Sequence, residues 1–143
     1  MSPLAVFQNP LVVGGTIYWS YYDTATSDGG LVASRDKGLT WKPVAAGGLN
    51  HAVAPLALPN DRIAVMKKSK LMTISANGGS SWTDAAPAFR LDNVGGATYN
   101  SVLNAFFAWK VNGAVQRLGG VAPQRPRSPR SATTGNGSRR RGK

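Results

Sequence analysis

Between residues 9 and 118 the apolar positions fall in short runs that alternate with polar residues or are rich in β-branched ones, and Gly, Asn or Asp closes almost every run. This is the pattern of strands joined by tight turns. No stretch holds a 3.6-residue apolar period long enough for a helix. The runs predict strands at about 9–13, 16–22, 30–34 and 41–44, then at 52–58, 62–66, 71–75 and 82–84, then at 94–99, 105–110 and 114–118.

The second set of runs repeats the first. Ser34-Arg35-Asp36-Lys37-Gly38-Leu39-Thr40-Trp41 recurs as Ser75-Ala76-Asn77-Gly78-Gly79-Ser80-Ser81-Trp82, displaced by 41 residues. Upstream, Asn9 to Val13 and Ile17 to Trp19 correspond to Ala54 to Leu58 and Ile63 to Val65. Their offsets are 45 and 46, because the first unit carries four to five more residues before its octapeptide. Four short strands per 41 residues is the arithmetic of a β-propeller blade. The expected fold is therefore all-β, a partial propeller of four-stranded antiparallel blades, two complete and one partial.

The octapeptides resemble Asp boxes, Ser-x-Asp-x-Gly-x-Thr-Trp, the signature of the bacterial neuraminidase repeat family of propellers. That family includes sialidases, related glycoside hydrolases and non-enzymatic propellers. Ser34, Asp36, Gly38, Thr40 and Trp41 match every signature position; Ser75, Gly79 and Trp82 match, with Asn77 in place of Asp and Ser81 in place of Thr. The resemblance implies a structural role, a turn between the third and fourth strands in which Asp36 or Asn77 accepts backbone N–H bonds. Gly38 and Gly79 then take φ > 0, and the Trp packs into the blade. It also implies a carbohydrate-directed protein. A sialidase requires a Tyr nucleophile paired with Glu, an Asp acid/base and three Arg that clamp the substrate carboxylate. The chain has no Glu and no Arg-Ile-Pro motif before the first blade, so no catalytic residue is assigned. The reading is a sialidase-like fragment that binds a glycan without turning it over. Its competitors are a protein-interaction propeller with no sugar ligand, and a nucleic-acid binder acting through a basic tail.

Composition narrows the chemistry further. With no Cys and a single His among 143 residues, there is no disulfide, thiolate nucleophile or Cys-ligated zinc, and no metal or cofactor is expected. No apolar run reaches the roughly 18 residues of a membrane-spanning helix, and no membrane partner is expected. Members of the family are commonly secreted, yet the first 15 residues show no signal peptide. The compartment is left open.

In a propeller, the loops after the second and fourth strands of each blade share the rim that ligands usually meet. Here that rim gathers residues 23–28, 47–51, 67–70, 86–93 and 110–113. Asp23, Asp28, His51, Lys67, Lys68 and Arg90 are its candidate ligand-binding residues. Lys67, Lys68, Lys70 and Arg90 give it a positive bias suited to an anionic sugar or other carboxylated ligand. The plainer alternative is solvated loop charge. In the aromatic run Tyr18-Trp19-Ser20-Tyr21-Tyr22, strand alternation sends Trp19 and Tyr21 to one face and Tyr18 and Tyr22 to the other. The run could form a sugar-stacking platform, but core packing is the expectation for both sets, and likewise for Phe106, Phe107 and Trp109.

Charge divides the chain in two. The net charge is +11, of which residues 121–143 carry seven basic side chains and no acidic one. That segment has no aromatic residue and almost nothing to bury, so residues 119–143 are expected to be a disordered basic tail behind a propeller domain at 1–118. Its arginines could bind nucleic acid only non-specifically. A 41-residue period predicts a third octapeptide near 116–123, where neither Asp/Asn nor Trp occurs. The further expectation is that residues from about 119 onward are a frame-shifted end, and that open blade edges drive self-association.

Overall fold

The computed structural model describes residues 4–6, 8–45, 47–85 and 87–119, which form twelve strands and no helix. The first sheet joins β1 (Leu4–Ala5), β2 (Leu11–Val13), β3 (Thr16–Asp23), β4 (Asp28–Ser34) and β5 (Lys42–Ala45). β1 and β2 pair with different parts of one edge of β3, and β4 then β5 follow on the other. The second is a four-stranded meander of β6 (Leu56–Leu58), β7 (Arg62–Met66), β8 (Met72–Ser75) and β9 (Thr83–Ala85). The third contains β10 (Val94–Asn100), β11 (Ala105–Lys110) and β12 (Val115–Gly119). Every pairing is antiparallel.

All three sheets lie where the sequence predicts them, with two departures. β1 precedes the first expected strand. The run expected at 52–58 becomes a strand only at Leu56. Asn50 is the reason: its Oδ1 accepts the Ala52 N–H at 3.0 Å and its carbonyl accepts that of Val53 at 3.1 Å, so the backbone turns before it extends. The basic segment beyond Gly119 lies outside the described residues.

The sheets stack face to face, like neighbouring blades. Strand β7 shows how. Its five residues are all buried, and alternation divides them between two cores. Ile63 and Val65 join Tyr18, Leu31 and Ala33 of the first sheet. Ala64 and Met66 join Ala97, Phe106 and Ala108 of the third. A strand with one wet face would read apolar at every second position; β7 reads apolar from Ile63 to Met66 because neither face meets water.

The second octapeptide locks the first two sheets together. Gly78 and Gly79 have φ of +70° and +92°, which lays their backbone against Tyr18, Arg35 and Val44 of the preceding sheet. Arg35 donates to the Gly78 carbonyl at 3.1 Å, and the Trp82 indole N–H donates to the Val44 carbonyl at 3.1 Å. The first octapeptide has the same turn but no described sheet beneath it. Trp41 there is 37% exposed, tilts against Trp19 with ring centres 5.9 Å apart, and returns its N–H to Gly38 within its own turn.

This contrast yields a prediction. Gly38 and Gly79 have φ of +91° and +92°, so an added Cβ strains both turns by about 1–2 kcal/mol. At Gly79 it would also lie 2.8 Å from the Val44 side chain, whereas at Gly38 its nearest neighbour is Trp41 at 3.9 Å. Urea unfolding should show Gly79→Ala costing at least about 1 kcal/mol more than Gly38→Ala. Equal costs would mean that the turn is not held against the preceding sheet.

Candidate functional site

One end of the stacked sheets gathers the hairpin after the second strand of each sheet and the segments that link one sheet to the next. Backbone bonds join them in sequence. Leu49 N–H donates to Gly29 at 3.1 Å, Lys68 to Gly48 at 2.9 Å, Phe89 to Lys70 at 3.0 Å and Val111 to Asn93 at 3.2 Å. Each link runs from a hairpin to a connecting segment or back, and the buried Leu49 and Phe89 plug the two junctions. The rim expected from the strand order is thus a continuous band.

Its charges are mostly spent within it. Lys67 pairs with Asp84 at 2.8 Å, Lys68 with Asp28 at 2.6 Å and Lys110 with Asp92 at 2.8 Å. Hydrogen bonding to these lysines holds the Asp28, Asp84 and Asp92 carboxyls below their ordinary range. Of the basic residues proposed for an anionic ligand, Lys67 and Lys68 are therefore already satisfied. Arg90 is exposed, and its backbone N–H donates to Gln116 Oε1 at 2.8 Å. The His51 ring lies against Tyr22 with ring centres 4.4 Å apart and the planes tilted by 41°.

Asp28 ties this rim to the second sheet. Besides Lys68, its carboxylate accepts the N–H groups of Gly29 at 2.9 Å and Gly48 at 3.0 Å. Gly47 is needed beside it: φ there is +92°, and a Cβ would stand 2.6 Å from Asp28 Oδ2. Asp23 pairs across the β3–β4 hairpin with Asp28 and accepts the Ala25 N–H at 2.9 Å.

Tyr21, Asp23, Thr26, Asp28, Gly29 and Gly47 line a cleft of about 250 Å³ at this corner. Core packing was the expectation for Tyr21, and the structure departs from it. Gly30 lies opposite on β4, and its absent side chain lets the Tyr21 ring fold over its backbone, where a Cβ would come within 2.4 Å of the ring. The ring thereby walls the cleft. Desolvation, followed by the negative charges of Asp23 and Asp28, raises its phenol pKa, so the hydroxyl stays protonated and can donate. Tyr18 and Phe106 do enter the core, while Phe107 and Trp109 lie on the outer face of the third sheet. Thr26 and Gly47 are cleft residues that sequence reasoning did not single out. The signal available was the pair Asp23 and Asp28 flanking a short hairpin.

The octapeptides occupy the opposite end. Ser34 Oγ donates to Asp36 Oδ1 at 2.8 Å and accepts the Gly38 N–H at 2.8 Å, and Asp36 accepts the Thr40 N–H at 2.8 Å as well as the Thr40 hydroxyl. The second turn repeats this with an amide. Ser75 donates to Asn77 Oδ1 at 2.9 Å, Asn77 Oδ1 accepts the Ser81 N–H at 2.9 Å, and Asn77 Nδ2 donates to Ser81 Oγ at 2.8 Å. The lone non-glycine strain in these turns is Lys37, with φ +62° where the second turn has Gly78. Every side-chain oxygen of the motif is consumed by its own turn. Among the described residues no group of three or more His, Asp or Glu side chains could hold a metal.

Comparison with known proteins adds little. No family model matches the chain, and no curated protein matches it. The solved structure of YCF48 from Cyanidioschyzon merolae, a β-propeller, aligns with a TM-score of 0.49 at 17% identity, over 80% of this chain and 32% of that one. The chain thus spans about a third of that neighbour's length. The all-β assignment stands on the three antiparallel sheets and their face-to-face packing.

The turn chemistry makes a pH prediction. Hydrogen bonds from the Thr40 hydroxyl and N–H, then from Ser34, lower the Asp36 pKa to about 2 from an ordinary 3.8. A depressed folded-state pKa contributes stability that is present above about pH 4 and lost as pH falls toward 2. Asp36→Asn reproduces the second turn's chemistry, so it should fold and melt slightly below the parent at pH 7. The gap in melting temperature should close between pH 4 and 2. A gap that is constant across that range would show that Asp36 does not titrate as described.

Proposed function

We propose that this chain is part of an Asp-box, sialidase-like propeller and binds carbohydrate without hydrolysing it, at the cleft walled by Tyr21. The observation that carries the reading is the cleft's chemistry and place. It lies on the rim formed by the interblade connections, and it combines an aromatic wall with the acceptors Asp23 and Asp28 and the Thr26 hydroxyl. Sugar hydroxyls need such acceptors, and a pyranose face needs such a ring. The turn geometry at Ser34 to Trp41 and Ser75 to Trp82 supports the family resemblance. The absence of Glu from the chain supports binding over turnover, because the Tyr/Glu nucleophile pair cannot form within it.

The electrostatics favour a neutral, hydroxyl-rich sugar over an anionic one. Lys68 is engaged with Asp28 and Lys67 with Asp84, which leaves Asp23 as the lining charge with no ion pair among the described residues. A sialic-acid carboxylate would meet the Asp23 carboxylate at close range and be repelled.

Applied to a glycan array, the full chain should retain neutral hexose or N-acetylhexosamine glycans in preference to sialylated ones. Tyr21→Ala should weaken that binding about tenfold or more, about 1.4 kcal/mol. Preferential capture of sialosides, or binding indifferent to Tyr21, would overturn the assignment to this cleft. A fluorogenic sialoside should be cleaved no faster than in buffer; enzyme-like hydrolysis would overturn the non-catalytic part.

A further inference from the structure

Both outer sheets present a face that elsewhere in the molecule is an interface. Chain alignment within the three sheets makes Tyr18 and Ser20 of β3, Ala64 and Met66 of β7, and Phe107 and Trp109 of β11 equivalent in register. In the first two sheets these positions receive the following sheet. In the third they point outward, with Trp109 38% exposed above Gly96 and its strand partner Val115 64% exposed. The first sheet shows the complementary face. Ile17 and Trp19 occupy the register of Ile63 and Val65, which pack against the preceding sheet, yet Val12 beside Ile17 is 64% exposed. The octapeptide turns agree. The second is seated on Tyr18, Arg35 and Val44, while in the first, Trp41 is 37% exposed and has no described sheet beneath it.

From this continuity with the internal interfaces, we infer that a second copy of the chain docks head to tail, the outer face of its β10–β12 sheet covering the Val12, Trp19 and Trp41 face of the first. The contact is heterologous, so it closes only if rotation brings the ring back to its start. Two copies of three sheets give six, inside the roughly four to eight blades of closed propellers; three copies would give nine. A closed pair uses both faces of both chains and covers the exposed apolar positions of these two described sheet faces. The inference is independent of the carbohydrate reading, since Val12 and Val115 do not line the cleft.

Sedimentation equilibrium of the full chain at about 50 μM, in about 0.5 M salt so that the basic residues are screened to roughly 4 Å, tests it. The expected mass is twice the 15.0 kDa of one chain. Val12→Asp and Val115→Asp, both at exposed positions, should each reduce the mass to that of a monomer while the circular dichroism spectrum is unchanged. An equimolar mixture of the two variants should associate again, because one intact contact remains between unlike chains. A monomeric parent, a mass above the dimer, or a dimer that survives either substitution would overturn the inference.

Discussion

Strand β7 has no solvent face, and the arrangement of the other strands follows from that. Its alternate side chains supply two different cores, Ile63 and Val65 to one and Ala64 and Met66 to the other. A sheet buried on both sides must be covered on both sides, so the first and third sheets are held at its two faces. Full burial of a side chain the size of Ile63, Val65 or Met66 is worth about 1.5–3 kcal/mol, and this single short strand delivers three of them. Hydrogen bonds order the result without supplying that drive. The bonds from Leu49, Lys68, Phe89 and Val111 fix where each connection crosses, and the Ser75–Asn77–Ser81 turn seats one sheet on the previous one through Trp82.

This division of labour separates the two ends of the molecule. At the octapeptide end, Asp36 and Asn77 have their oxygens directed into backbone N–H groups, and the turn chemistry is self-contained. At the connection end, the backbone is committed to joining sheets, while side chains along it remain directed outward. Most of the charged ones form pairs that bridge one element to another, as Lys68 does between Asp28 of the first sheet and its own place in the second. The Tyr21 corner differs because Gly30 and Gly47 remove side chains from it. Space opens there, and two carboxylates face it.

The fold was legible in the sequence because its strands are short and almost every turn is marked by Gly, Asn or Asp, with the octapeptide spacing fixing which strands belong to one sheet. What was not legible depended on contacts between units. The run of apolar residues at 52–58 gave no sign that Asn50 would turn the chain until Leu56. Lys67 and Lys68 read as free positive charge, since their partners Asp84 and Asp28 lie 17 and 40 positions away in sequence and meet them only once the strands pair. The different fates of Trp41 and Trp82 were invisible too. The two residues hold the same place in their motifs, and they differ in whether a sheet precedes them.

Native-state hydrogen exchange tests most directly whether the middle sheet organises the whole. Amides of β7 and β8 should be the slowest in the molecule, exchanging only through global unfolding, and the Leu49 and Phe89 amides at the two junctions should share that protection. If β3 or β11 outlasts β7, or if the junction amides exchange in a separate and much faster unit, the three sheets are independent modules and the two-faced strand does not organise them.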